Sequence, residues 1–245
     1  VMGSQICGQC HSSFDSYEPF RAGQNVNQAR KFVRHADAQD PASPFFDNYW
    51  NDGSIRIGGR EYLGLTESPC YQRGKMSCMS CHSMHKSDPN DQLARGMESN
   101  QACLQCHKQF RGDQALVKHT HHSVSSSGSR CYNCHMPFTS YALLKGIRSH
   151  QVTTPSVDVS VEFGKPNACN QCHLDKTLDW TAGKLLEQHQ IQSEPLSEEH
   201  RQTAASLHWL THGDAALRAI TAWTSGWDAA REVSGDDWMV PGLAY

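Results

Sequence analysis

The sequence predicts a mainly α-helical chain with extensive irregular structure, little β-structure and an interior that side chains alone do not fill. Its 245 residues are only 38% hydrophobic, with a mean hydropathy of −0.62, which is too polar for a thick side-chain core. One pentapeptide containing two cysteines and a histidine occurs five times. Apolar residues recur at helical spacing from about residue 178 onward.

The repeated pentapeptide is Cys-x-x-Cys-His, the attachment site of c-type haem. Two thiols at this spacing reach the two vinyl groups of one porphyrin, and the histidine that follows is held beneath the iron. The cysteines are Cys7 and Cys10, Cys78 and Cys81, Cys103 and Cys106, Cys131 and Cys134, and Cys169 and Cys172; the proximal histidines are His11, His82, His107, His135 and His173. We therefore predict a fold wrapped around five haems c, and we expect the haem-free chain to be unfolded.

Cys70 is the eleventh cysteine and lies outside the five motifs. We interpret it as a small buried apolar residue; a disulfide to another chain and a haem-tuning role are the alternatives. Zinc is the main rival of haem for Cys-x-x-Cys pairs. Zinc sites have no need of a histidine directly after the second cysteine of every pair, so the pattern favours haem.

Ten histidines remain after the five proximal ones, which favours a second histidine on most of the irons. The predicted distal ligands are His35, His85, His119, His122 and His150. His85 lies three residues after His82, and His119 and His122, with His121 between them, share a face of a helical turn just before the fourth motif. His35 is the only spare histidine between the first two motifs, so the first haem has the weakest assignment.

Methionine is the competing axial ligand, but Met136 directly follows His135 and cannot reach the opposite face of the same haem. We expect Met136 to pack against a porphyrin edge. Four further histidines, His189, His200, His208 and His212, lie on predicted C-terminal helices, and we interpret them as mostly solvated.

Residues 1–177 are predicted to form a pentahaem cytochrome domain, and residues 178–245 a C-terminal helical region that is HEAT-like and truncated. Leu178, Ala182 and Leu185 mark one helix. A helical pair follows over 197–232, in which Ser197 caps the first helix and Asp214 the second. Alternation around Ile55 and Ile57 predicts a short β-hairpin near 54–63.

The net charge of −3 and pI near 6.6 argue against a nucleic-acid partner. No apolar run has the length of a membrane span. Because haem c is attached outside the cytoplasm, we expect a periplasmic or extracellular protein whose signal peptide is removed or missing before Val1.

From about Arg56 to Trp223 the chain resembles a family of bacterial multihaem c-type cytochromes that are often fused to HEAT or tetratricopeptide repeats. The segments that carry the resemblance begin at Gly59, Glu67, Cys78, His119, Cys131, Arg148 and Pro166. The resemblance implies distal ligands at His85, His119, His122 and His150. It also implies that this chain is a fragment or a processed form of a longer protein.

We expect electron transfer between redox partner proteins or neighbouring copies of the chain, with assembly into an extracellular filament as a further hypothesis. The first alternative is an oxidoreductase with one open-site haem, the first haem being the best candidate, that acts on a small nitrogen or sulfur compound. The second alternative is a scaffold whose C-terminal helices recruit a partner while the haems only stabilise the fold.

Overall fold

The computed structural model describes residues 2–19, 21, 23–84, 91–141, 145–235 and 237–239. The described chain is mainly helical with little strand, which confirms the predicted fold class. The α-helices are α1 Met2–Gly8, α2 Val26–Ala29, α3 Glu61–Glu67, α4 Pro69–Gln72, α5 Gln101–Leu104, α6 Asp113–Thr120, α7 Cys131–His135, α8 Val157–Phe163, α9 Leu178–His189, α10 Glu198–Gln202, α11 Ala205–His212, α12 Ala215–Ser225 and α13 Asp228–Ser234. Within these residues, no helix is long and apolar enough to cross a bilayer.

Two small antiparallel ladders make up the named strands. Strand β1 (Phe14–Tyr17) pairs with β2 (Arg30–Phe32), and β3 (Phe138–Tyr141) pairs with β4 (Lys145–Arg148). The predicted hairpin near 54–63 is wrong. Ile55 makes an isolated bridge to Tyr49, and Gly59, with a φ of 91°, turns the chain into α3 instead of returning it along a second strand.

Backbone proximity divides the chain into two units, Val1–Tyr132 with Ser149–Thr153, and Asn133–Arg148 with Thr154–Tyr245. This division lies elsewhere than the predicted boundary between residues 177 and 178. That boundary separates haem-bearing from haem-free sequence and stays a prediction.

Side-chain packing in the first unit is concentrated before residue 70. Val26, Phe32, Tyr62 and Leu63 form one small cluster, and Val33, Ala38 and Tyr49 form another. Over the described part of 71–132 the only buried hydrophobic residue is Leu116. This stretch carries the second and third motifs and the start of the fourth, so it holds half of the ten motif cysteines and almost no apolar core.

The second unit has a core of its own. Val157, Leu178, Leu185, Trp209 and Ile220 pack together with Ala205 and Leu217. The predicted first helix, from Ser197 to the break at Gly213, is divided into α10 and α11, and the predicted second helix begins as α12 after Asp214.

Helix ends in the second unit are set by side-chain caps. The hydroxyl of Ser197 accepts a hydrogen bond from the His200 amide, and the Asp214 carboxylate accepts one from the Leu217 amide, which confirms both predicted caps. Residues 197–232 are nevertheless more divided than predicted, because α10 ends at Gln202 and a further helix, α13, begins at Asp228.

Candidate haem-attachment sites

All five Cys-x-x-Cys-His motifs adopt the same single helical turn. In the first, second, third and fifth motifs the histidine amide donates to the carbonyl of the first cysteine, at 2.8 Å for His11 and 2.9 Å for His82, His107 and His173. The fourth motif is itself the helix α7. Residues at positions i, i+3 and i+4 of such a turn lie on one side, so both thiols and the imidazole are presented together.

Exposed apolar side chains flank the first two motifs. Ile6 precedes Cys7 and is 61% exposed, Met79 lies inside the second motif and is 48% exposed, and Met84 follows it and is 61% exposed. Apolar surface of this kind is costly in water, and a bound macrocycle would cover it. The donor set and its surroundings therefore fit covalently attached haem.

The second and third motifs are each anchored to the motif before them by a side-chain hydrogen bond. The amide of Cys78 donates to the hydroxyl of Ser4, a fully buried residue of the same helix as Cys7, at 3.0 Å. The side-chain amide of Gln105 in the third motif donates to the Ser80 carbonyl in the second motif, also at 3.0 Å. These bonds hold three attachment sites side by side.

Asn100, just before the third motif, anchors the start of the fourth. Its side-chain oxygen accepts from the Cys131 amide at 2.9 Å, and its nitrogen donates to the Ser129 carbonyl at 2.7 Å. The thiol of Cys103 is close enough to Cys131 to lower the pKa of Cys131 below its ordinary value. The thiols of the third and fourth motifs are thus neighbours.

The fifth motif is held by the two residues between its cysteines. Gln171 accepts from the Phe138 amide at 2.9 Å and donates to its carbonyl at 2.6 Å, as a neighbouring β-strand would. Asn170 accepts from the Thr181 hydroxyl at 2.7 Å. Burial, followed by the nearby Cys134, raises the pKa of Cys169 and of Cys172 to about 12, so the thiols of the fourth and fifth motifs are also neighbours.

Glu61 orients the proximal histidine of the first motif. Nδ1 of His11 lies 2.9 Å from the Glu61 carboxylate, which also accepts from the Gly59 amide at 2.7 Å. Burial alone would raise the pKa of Glu61, but the hydrogen bonds from His11 and from backbone amides outweigh it and hold the pKa at about 2. An ionised acceptor on Nδ1 leaves Nε2 of His11 for an iron and raises the basicity of the ring.

The other proximal histidines have more varied surroundings. Nδ1 of His82 lies 3.1 Å from the Asp91 carbonyl, and its ring is stacked at 6.1 Å on the ring of His150. The ring of His173 lies 4.8 Å from that of Trp180. His107 is exposed, and its role as an iron ligand stays a prediction.

The structure describes four of the five predicted distal histidines, and their role as ligands stays a prediction. His150 lies beside His82, as above. His35 packs near the Tyr49 ring at 6.0 Å, and His119 stacks on Phe110 at 4.2 Å. His85 lies outside the described residues.

The predicted helical turn shared by His119 and His122 is not formed. Helix α6 ends at Thr120, and His121 adopts a left-handed conformation with a φ of 56° as its C-cap. Nδ1 of His122 instead lies 2.6 Å from the Thr120 carbonyl. The two imidazoles are therefore set by a helix end followed by a turn, which is compatible with ligands to different irons.

Cys70 is partly exposed on α4, so its interpretation as a buried residue is wrong. Its thiol is close enough to Cys103 to raise the pKa of that residue, behind the larger effects of Cys131 and burial.

Sequence reasoning did not single out the anchoring residues Ser4, Asn100, Gln105 and Gln171, or the role of Glu61. Gln105 and Gln171 share one signal, a long side-chain amide directly before the second cysteine of a motif.

Three similarities to known proteins bear on these sites. Residues 71–112, which include the second and third motifs, match the family described as the doubled CXXCH motif. The cytochrome c nitrite reductase subunit NrfA of Nitratidesulfovibrio vulgaris (strain Hildenborough) is 38% identical over 185 residues, covering 76% of this chain and 27% of that protein. The chain thus spans about a quarter of the length of this curated relative.

Among solved structures, the crystal structure of the outer cell wall cytochrome OcwA aligns with a TM-score of 0.48 and 14% identity over 94% of this chain and 62% of that chain. Five copies of the attachment turn in one conformation, two of them within the doubled CXXCH match, identify the chain as a multihaem c-type cytochrome.

Proposed function

We propose that this chain carries electrons along five covalently bound haems, each with two histidines on its iron. The observation that carries the proposal is the succession of anchored motifs. Ser4, Gln105, Asn100 and Gln171 take part in hydrogen bonds that each connect one motif, or a residue within three positions of it, to the next motif along the sequence. Haems attached at such sites would lie close enough together for electrons to pass between neighbours.

Each haem would supply an iron that exchanges one electron between its ferric and ferrous states. The chain's own residues set how that iron behaves. The five proximal histidines would occupy one axial position each, and His35, His85, His119, His122 and His150 would occupy the other. Two histidine ligands leave no position for a substrate, so such a site transfers electrons without binding one.

The experiment is spectroscopic and uses the haem-loaded protein. Intact mass gives the haem count, for which we expect five. Electron paramagnetic resonance of the oxidised protein is expected to show only low-spin iron, and the reduced spectrum is expected to be unaltered by carbon monoxide. A high-spin signal, together with spectral shifts on adding carbon monoxide, cyanide or nitrite, would contradict the assignment of two histidines to every iron.

The second candidate function is reduction of a small nitrogen compound at one open haem. The 38% identity to a nitrite reductase subunit favours it, although the match covers only 27% of that protein. The first haem is the candidate because the assignment of its distal ligand, His35, is the weakest of the five. Turnover of nitrite with a reduced dye as electron donor, accompanied by a high-spin signal, would establish this function in place of electron transfer.

The variant His35→Gln separates the two functions at the first haem. If His35 is a ligand, its loss converts one low-spin iron to high spin and creates a carbon monoxide site. The matched variant His189→Gln changes a histidine on α9 and should leave all spectra unchanged. If the first haem is already open, neither variant changes the spin state.

Location and assembly belong to the same proposal. We place the protein in the periplasm or outside the cell, with redox proteins or further copies of itself as partners, because haem c is attached outside the cytoplasm. Assembly of copies into an extracellular filament is tested by electron microscopy of native material and by light scattering. A monodisperse monomer at all concentrations would count against the filament and leave electron transfer in place.

A further inference from the structure

A cluster of two histidines and one glutamate lies on the C-terminal helices, apart from every haem motif in the sequence. His208 and His212 are one turn apart on α11, and Glu199 lies on α10. One nitrogen of each imidazole and one carboxylate oxygen all lie within 4.8 Å of one another. Both histidines were expected to be mostly solvated, yet the side chain of His208 is only 26% exposed.

We propose that Glu199, His208 and His212 form a binding site for a divalent transition metal ion such as Zn²⁺. Imidazole nitrogen and carboxylate oxygen are ligands that zinc prefers, and three protein ligands with a water molecule in the fourth position form a common tetrahedral set. The site has no cysteine and is independent of the haem proposal.

The distances between the ligand atoms are close to those that a bound zinc ion requires. Metal–ligand distances of about 2.0–2.2 Å in a tetrahedron place the ligand atoms roughly 3.4 Å apart. A carboxylate oxygen of Glu199 lies 2.8 Å from Nδ1 of His208 and 3.8 Å from Nδ1 of His212, which brackets that separation. The rings of His208 and His212 are stacked at 5.0 Å with an interplanar angle of 24°, so small rotations direct both toward one point.

The surroundings allow those rotations and support the arrangement. The side chains of Glu199 and His212 are 48% and 65% exposed, so they can move without repacking a core. Trp209 on the same helix is buried and fixes the rotation of α11, which keeps His208 and His212 toward α10. The His200 ring lies edge-on to His208 at 5.2 Å and forms the wall of the site on the α10 side.

A hydrogen bond between His208 and Glu199 is the alternative use of the same residues. It explains the 2.8 Å contact, but it gives no reason for a second imidazole one helical turn away within reach of the same carboxylate oxygen. A metal ion uses all three groups and would tie α10 to α11.

The test is native mass spectrometry and isothermal titration calorimetry of the haem-loaded protein with zinc chloride. The mass counts haem and zinc in one measurement, so correct maturation is checked in every variant. We expect one tightly bound zinc ion per chain in the parent protein. Loss of outer-shell groups weakens zinc binding by about 10- to 100-fold, so His208→Gln, His212→Gln and Glu199→Gln should each weaken it by at least roughly 100-fold.

The control is His189→Gln, which removes a histidine from α9 while leaving the three ligands in place. It should bind zinc like the parent, and all variants should carry the parent number of haems. Zinc binding of equal affinity in the parent and in the three ligand variants would overturn the proposal, since the ion would then be elsewhere, for example on haem propionates. Absence of bound zinc in the parent at excess zinc would overturn it as well.

Discussion

Two stretches of this chain differ in how many hydrophobic side chains they bury. The described part of 71–132 contains the second and third motifs and buries one hydrophobic residue, Leu116. The described part of 157–239 contains only the fifth motif and buries a set of apolar side chains, namely Val157, Ala168, Leu174, Leu178, Leu185, Ala205, Trp209, Leu217, Ile220, Ala229, Ala230 and Met239.

The contrast indicates what each stretch depends on for stability. Burial of apolar side chains is the main favourable term in folding, and the helices of 157–239 obtain it from one another. In 71–132 that term would come from haems, while side-chain hydrogen bonds from Asn100 and Gln105 fix where the chain runs. The first stretch should therefore fold only with its cofactors, and the second should be far less sensitive to them.

Removing the haems has the largest expected effect. In chain produced without haem attachment and kept reduced, amide hydrogen exchange in α5, α6 and α7 should approach the rate of an unfolded chain. Exchange in α9, α11 and α12 should stay at least about 100-fold slower, a difference of about 2.7 kcal/mol in opening free energy. Mass spectrometry of peptic fragments measures both regions in one sample.

The same measurement on the haem-loaded protein is the control, in which both regions should be protected. Uniformly fast exchange in the haem-free chain would show that the C-terminal core also needs haem, as the sequence alone predicts. Uniform protection would show that 71–132 has a protein core after all, and the contrast between the two stretches would fail.

Creating a cavity in the C-terminal core is expected to have the next largest effect on stability. Trp209 is 3% exposed in the cluster formed with Leu178, Leu185 and Ile220. Trp209→Ala should destabilise α11 and α12 by about 3–5 kcal/mol, because it removes apolar contacts and leaves a void. Urea unfolding followed by far-ultraviolet circular dichroism and by exchange in α11 measures the change, and amide exchange over 101–120 in the haem-loaded protein should stay the same.

The matched variant is Leu186→Ala on α9, whose side chain is 47% exposed. It should change the free energy of unfolding by less than about 0.5 kcal/mol. Faster exchange over 101–120 in Trp209→Ala would mean that the helical core also stabilises 71–132, and the two stretches would then differ less than proposed.

The sequence predicted local features correctly where the residues that form them are close together in the chain. The five attachment turns follow from contiguous pentapeptides, and the caps at Ser197 and Asp214 follow from a side chain and an amide three residues apart. Glu61 was not identified as the partner of His11, because fifty residues separate them and a lone glutamate has no pattern.

The prediction of short β-strands also failed, for a related reason. The predicted hairpin rested on two alternating isoleucines and a pair of glycines, but Gly59 turns the chain and helix α3 begins two residues later. Strands β3 and β4 were missed because each has only four residues, and their position depends on contacts such as Phe138 with the side chain of Gln171. Such contacts exist only after the fifth motif has folded.

The smallest predicted effect concerns the hydrogen bonds that position haem sites where apolar packing is absent. Asn100→Ala removes the acceptor of the Cys131 amide and the donor to the Ser129 carbonyl, which should cost about 1–3 kcal/mol locally. Amide exchange over 127–131 in the haem-loaded protein should speed up accordingly. Asn100→Asp, which keeps the acceptor, should show a smaller effect, and Asn51→Ala at an exposed position should show none. Unchanged exchange in Asn100→Ala would mean that haem contacts alone hold the fourth motif, and that polar anchoring plays no part in the difference between the two stretches.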